Sequence, residues 1–290
     1  MKRPTRPLFD HAKATIGVIV LSLCGGAAVA AQTSIQASAT AGFGVDVITV
    51  SDYRPYQAGS STAAKHADAY WGQASYSVFA DFGALHVFAT AATRGSDNYG
   101  GYEGWDSIAT AMAFAEDKVT FTAPPGVEWV EFKLSLNLHG SFAGTSRSRG
   151  WLEAELGGSN YLPLAGQSYS SGLSAATYFG TPPPPGRSEV LSAEQTYRAL
   201  AGSTITLRYS LNGVAHALPT PAQAGILPPS NMTTDGGHTA RVGLTVLTPG
   251  ASFLADSGAS YAPVPEPSSL VLFGVGLLGL SVWRARRFKH

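Results

Sequence analysis

The residues most able to do chemistry are concentrated in one short stretch, positions 95–106, which reads GSDNYGGYEGWD. Asp97, Glu103 and Asp106 supply carboxylate oxygens there, and Tyr99, Tyr102 and Trp105 supply aromatic faces, all in a glycine-rich setting. Such a loop could stack a sugar ring on Trp105 or Tyr102, or hold a calcium ion through its three carboxylates. The spacing is not that of an EF-hand loop. An ordinary hairpin loop whose aromatics cover one end of a β-sandwich is the favoured reading, and a glycan or calcium loop is the alternative.

The other chemistry-bearing residues form no pattern. His66, His86, His139, His216 and His238 follow the first 30 residues, and none is paired at a metal-ligand spacing. No nucleophile elbow and no phosphate-binding Walker loop occurs. Glu153 and Glu155, two apart, would share one face of a strand, but their alternation with Leu152, Ala154 and Leu156 favours a solvated strand face over a catalytic pair. Gly274, Gly276 and Gly279 match a dinucleotide fingerprint. That motif has meaning only between a strand and a helix of a βαβ unit, and here it sits in an apolar tail close to the last residue. No catalytic residue, metal site or cofactor is therefore expected.

The elements that would position these residues are strands. The body of the chain is rich in Gly, Ala, Ser, Thr and aromatics and poor in Lys and Glu, which disfavours long amphipathic helices. Residues 130–138 alternate Val, Phe, Leu, Leu, Leu with Glu, Lys, Ser, Asn, the pattern of a half-buried strand. Similar alternation marks Tyr76 to Phe82, Ile205 to Leu211 and Val242 to Val246, with shorter candidates at 118–122 and 151–156. Turns are predicted at Pro124-Pro125-Gly126, His139-Gly140, Gly157-Gly158-Ser159-Asn160 and Asn212-Gly213, the last because Asn-Gly favours a hairpin. Many short strands punctuated by Gly and Pro predict an all-β fold, an antiparallel β-sandwich of jelly-roll-like type. The four prolines 182–185 read as a surface excursion within one domain, since proline cannot donate to a ladder.

Charge separates the ends from the body. The formal net charge is zero, but residues 1–30 and 264–290 each carry +3, and the 233 residues between them carry −6. An acidic body argues against nucleic acid, whose affinity comes from Lys and Arg neutralising phosphates. The one cysteine, Cys24, lies in the N-terminal apolar run, so the body has no disulfide and no thiol nucleophile. A lipoprotein signal would place Gly, Ala or Ser directly before the cysteine, and Leu21-Ser22-Leu23-Cys24 has the bulky Leu23 there.

Both ends read as membrane addresses. Residues 1–13 are basic, 14–23 apolar, and Ala28-Val29-Ala30 supplies the small-x-small pattern in which Ala28 and Ala30 mark signal cleavage. This is the layout of a signal peptide handled by the Sec translocon and signal peptidase. At the other end, Pro265-Glu266-Pro267 and two serines precede the uncharged residues 270–282, then Trp283 and the basic cluster Arg284, Arg286, Arg287 and Lys289. The prolines keep a helix from starting early, the serines can cap it, and the basic cluster stops it on the cytoplasmic side. With only 16 residues from Ser268 to Trp283, the span is short for a permanent anchor and suits transient membrane contact.

This tripartite tail resembles the PEP-CTERM sorting signal of Gram-negative bacteria. The resemblance implies that exosortase, a membrane-embedded peptidase, recognises Pro265, Glu266 and Pro267 and cuts near them. It implies passage through the inner membrane to the cell surface or extracellular matrix, and it covers only the tail. The expected organisation is a signal peptide at 1–30, a sandwich at 31–250, a linker at 251–263 and the sorting signal with its transmembrane helix at 264–290. The favoured function is a non-enzymatic surface or matrix protein lodged among exopolysaccharide in a biofilm. A carbohydrate-binding module using the 95–106 loop is the alternative, and a hydrolase whose residues converge only on folding is the third reading.

Overall fold

The computed structural model describes residues 31–262, apart from 44–45, 71, 95–106, 146–147, 165–171, 180–186, 219–228 and 237–239. The described residues form strands and turns without a helix. The helices expected at 14–23 and 270–282 lie outside them.

Two antiparallel sheets face each other. The first runs, in spatial order, β10 (Gly172–Phe179), β8 (Arg149–Ser159), β12 (Thr204–Ala217), β6 (Ser107–Thr122), β1 (Gln32–Phe43) and β2 (Asp46–Gln57), and β15 (Ser252–Ala255) also pairs with β6. The second runs β3 (Ser61–Ala69), β4 (Gly72–Asp81), β5 (Ala84–Thr93), β13 (Ser230–Asp235), β7 (Trp129–Gly144), β11 (Arg187–Leu200) and β9 (Leu162–Pro163). β14 (Ala240–Val246) continues the β13 position, pairing with both β5 and β7. The all-β antiparallel expectation holds. β10 and β11 lie in opposite sheets of this one sandwich, so both flanks of the proline run belong to it.

Strand alternation builds the core. On β7, Val130, Phe132, Leu134, Leu136 and Leu138 are all buried, as are Ile205, Leu207, Tyr209 and Leu211 on β12. Phe132 centres an aromatic cluster, with Phe121 at 4.7 Å, Tyr161 at 5.9 Å and Tyr197 at 6.0 Å between ring centroids. The β1–β6 region is lined instead by Ala37, Ala39, Ala41, Ala109, Ala111, Ala113 and Ala115. Methyl groups bury little area each, and they let two sheets pack closely without voids.

Two predicted turns are strand interiors. β12 runs straight through Asn212-Gly213, which pairs with β6 and β8 at once. A Cβ at Gly213 would lie 2.6 Å from Val87 Cγ2, so the glycine serves a close approach between the sheets and not a hairpin. His139-Gly140 likewise lies inside β7, where a Cβ on Gly140 would run into Leu152. The predicted turn at 157–160 begins later, since Gly157 to Ser159 complete β8 and Asn160 takes a φ of 69°. Pro124 to Gly126 turns as expected, with the Val127 N–H donating to the Pro124 carbonyl at 3.2 Å.

The sandwich also continues past residue 250. The segment expected as a linker at 251–263 instead carries β15, and its Tyr261 is buried in the sandwich. Its small and turn-forming residues suggested a free chain, but Phe253 and Tyr261 give it apolar surface to bury. We call residues 252–261 the C-terminal strap. Gln32 lies opposite Glu116 and Ala255 opposite Val119 on β6, so the start and end of the domain emerge side by side at one pole. The flanks of 95–106, Thr93 and Ser107, lie at the other pole: Thr93 pairs with Gly72 and Ser230, and Ser107 with Ala217.

Candidate functional site

The outer face of the first sheet carries the one concavity we single out. Its register places Ser34, Phe114, Ser210, Glu155 and Ser174 in a row across β1, β6, β12, β8 and β10. The neighbouring row is Gln32, Glu116, Arg208, Gly157 and Gly172. Alternation aims both rows outward, since Ala113, Ala115, Tyr209 and Leu156 beside them are buried. Two of the five positions in the second row are glycines without side chains, so the surface drops beyond Arg208. The result is a shallow, open depression of about 430 Å³, lined by Phe114, Glu155, Gly157, Ser174, Arg208 and Ser210 among others.

Its rim is ordered by two contacts. Arg208 Nε donates to Glu116 Oε2 at 2.6 Å, which neutralises that pair and fixes the guanidinium plane. Tyr56 meets the Phe114 ring edge-on, with centroids 5.3 Å apart and planes at 79°. Burial raises the Tyr56 phenol above its ordinary value, with Glu116 adding to the effect. A half-buried aromatic ring beside a carboxylate and two hydroxyls can stack the apolar face of a planar ligand and hydrogen-bond its polar edge. Glu153 and Glu155 do share this face, as their spacing predicted. Both are at least partly exposed on an open sheet surface, with no enclosing cleft around them.

The strap is anchored at the opposite surface of β6. Asp117 is fully buried (0% exposed) and gathers four donors. Tyr261 Oη donates to Asp117 Oδ2 at 2.7 Å, the Ser257 hydroxyl donates to the same oxygen, and the Ser257 and Lys118 N–H groups donate to Oδ1 at 3.2 and 2.8 Å. The Leu244 N–H donates to the Tyr261 carbonyl at 2.8 Å. The Tyr261 ring packs on Gly83, and its φ of 44° is one few non-glycine residues adopt, held here by bonds on both sides. Burial pushes the Tyr209 and Tyr261 phenols well above the ordinary tyrosine range. Nothing in the sequence singled out Asp117; the pointers to the strap were its two aromatics, Phe253 and Tyr261.

Of the residues the sequence nominated, Asp97, Tyr99, Tyr102, Glu103, Trp105 and Asp106 lie outside the described residues. So do Ala28, Ala30, Pro265, Glu266, Pro267 and the cluster Arg284, Arg286, Arg287 and Lys289. Among the described residues, no three His, Cys, Asp or Glu side chains gather into a metal-binding group. His66, His86, His139 and His216 fall on four different strands.

The described residues thus form an antiparallel sandwich in which buried Tyr261 stands two residues before a stretch of separate sequence character. Residues 263–287 match the family model of the PEP-CTERM protein-sorting motif, which marks an exported chain sorted by exosortase. Comparison with curated proteins found no match, and neither did comparison with solved structures.

Proposed function

We propose that this chain is a non-enzymatic protein of the cell surface or extracellular matrix. In this reading its signal peptide is removed after Ala30 or Ala31, and the sandwich folds outside the cytoplasm. The C-terminal helix holds it briefly in the inner membrane, and exosortase releases it to lodge among exopolysaccharide. The observation that carries the reading is the sorting motif at 263–287, which begins two residues after a strap packed into the sandwich. In this reading the tail is a removable address that follows the sandwich.

The test replaces Pro265, Glu266 and Pro267 with alanine and follows the chain by cell fractionation. The expected result is loss from the surface and accumulation in the membrane with the basic tail intact. Unchanged surface delivery would remove the reading.

A second reading, carbohydrate binding, is favoured by the depression on the first sheet. Phe114 offers a stacking face, and Glu155, Ser174 and Ser210 offer hydrogen-bonding groups spaced along one row. Glycan pull-down by the mature protein should weaken on Phe114→Ala with Glu155→Gln if this face binds. It should weaken on Trp105→Ala if the 95–106 loop binds. Binding that withstands both removes the reading.

A further inference from the structure

Three loops that hold one another form the tip of the pole at which the strap ends. The Gly202 N–H donates to the Phe121 carbonyl at 3.0 Å, and the Phe121 N–H donates to the Ser203 carbonyl at 3.1 Å, joining the β11–β12 turn to the end of β6. The Ala201 N–H donates to the Glu128 carbonyl at 2.9 Å, just before β7. Ser252 pairs with Thr122, and a Cβ on Gly250 would meet the Pro124 ring, so the β14–β15 loop completes the tip. These loops carry no charge: residues 119–127, 199–207 and 242–255 contain no Asp, Glu, Lys, Arg or His. Leu200, Leu247 and Leu254 stand open on them, 46, 45 and 71% exposed, with Pro125 and Pro249 exposed beside them. Scattered singly, such residues would need no account, but here they fall on adjoining loops. Half-buried Trp129 pairs with Leu200 and holds the Arg198 guanidinium 4.7 Å over its ring. The charged residues that bound the three runs are Lys118, Glu128, Arg198, Arg208, Arg241 and Asp256, more basic than acidic.

The length of chain beyond the strap says what this tip meets. Tyr261 is held at the level of Asp117 on β6, and the uncharged stretch of the sorting tail opens at Ser268. The seven steps between them span at most about 25 Å. On β6, the five steps from Asp117 to Thr122 at the tip cover about 17 Å. A bilayer that holds the uncharged stretch therefore lies within reach of the tip. Beside Tyr261 the surface carries Asp81, Lys118 and Asp256, so the tip is the uncharged surface on offer there.

We propose that this tip is a lipid-contact surface: while the tail is inserted, Leu200, Leu247 and Leu254 enter the headgroup boundary, and the strands stand across the membrane plane. The contact holds Pro265, Glu266 and Pro267 at the bilayer surface, where a membrane-embedded peptidase works. It rests on the reading of residues 263–287 as a membrane-inserted sorting tail. Three exposed leucines bury little area, so the tip alone binds weakly, and the tail supplies the local concentration that seats it. Cutting the tail then frees the body.

The test reconstitutes the tail-bearing chain into vesicles of phosphatidylethanolamine and phosphatidylglycerol, in a Cys24→Ser background that leaves no other thiol. Flotation reads the tail, and a fluorescent label on single cysteines reads the tip. Labels on Pro249→Cys and Leu254→Cys should be quenched by nitroxide lipids at least about twofold more than one on Asn231→Cys, at the far pole, since interfacial apolar groups sit about 5–10 Å into the boundary. Leu247→Glu with Leu254→Glu should abolish quenching at position 249 while the chain still floats. Both leucines are exposed, so the unfolding midpoint should stay that of the parent. A floating chain whose label at 249 is quenched no more than the one at 231, or whose quenching survives both glutamates, overturns the proposal and leaves the tail reading standing. Labels at 249 and 254 shielded from aqueous iodide but untouched by nitroxide lipids would mean that protein covers the tip, which also overturns it. A chain that does not float overturns the tail reading and the proposal with it.

Discussion

Replacing Tyr261 with phenylalanine removes one oxygen from the strap and should change how stability depends on pH. In the folded protein the Tyr261 hydroxyl is buried and donates to Asp117 at 2.7 Å. Tyr261→Phe leaves a buried carboxyl oxygen short of a donor, which costs about 1–2 kcal/mol at pH 8. The phenol also titrates differently in the two states. Its ordinary value is 10.0, and burial together with Tyr209 and Asp117 drives it far higher in the fold. Because the folded value lies above the unfolded one, this stabilisation is whole below pH 10 and is lost as the pH rises beyond it. At pH 11 the unfolded phenol is about nine-tenths ionised while the folded one keeps its proton, a loss of about 1.4 kcal/mol. Phenylalanine has nothing to lose. Guanidinium unfolding of the mature protein should therefore show the variant below the parent at pH 8 and close to it at pH 11. An equal gap at both pH values would mean that the hydroxyl is not held neutral against Asp117.

Other expectations follow from the packing. Phe132→Ala should cost about 3–5 kcal/mol in the same assay, because three aromatic neighbours lose their common partner and the cavity cannot close fully. Gly213→Ala should cost about 1–3 kcal/mol, since its new methyl meets Val87 of the facing sheet. Lys65→Met should raise the Asp52 carboxyl toward its ordinary value, read by NMR titration. The lysine contact is the largest cause of its present lowering, with the Tyr76 hydroxyl helping, and burial opposes both. The lowered Asp52 value adds stability above pH 3.8 that is lost as the pH falls further, so the variant should lose less on acidification.

Strands whose buried side was also their more apolar side were legible, as β7, β12 and β14 illustrate. On β6 the pattern is inverted: Ala109, Ala111 and Ala113 face the core while Ile108, Met112 and Phe114 face outward. A hydropathy reading puts the larger apolar residue inside, so only the last turn of that strand, 118–122, stood out. β1 hides for the same reason, its core face being Ile35 followed by three alanines. Asn-Gly at 212–213 satisfied the hairpin rule locally, but the facing Val87 side chain decided its place, and local chemistry carries no record of a contact across the sandwich. The strap was read as a linker because its turn residues outnumber its anchors. The depression on the first sheet depends on which glycines become neighbours across strands, which pairing alone determines. The sorting tail was legible throughout, since its order of prolines, apolar run and basic cluster is linear.

The central claim, that both ends are addresses removed from a folded sandwich, is met most directly by the intact mass of the protein recovered from the cell surface and medium. The account predicts a chain that begins at Ala31 or Gln32 and ends near Pro265, with the whole strap retained. A surface form that still carries Arg284 to His290, or one that has lost Tyr261, would contradict it.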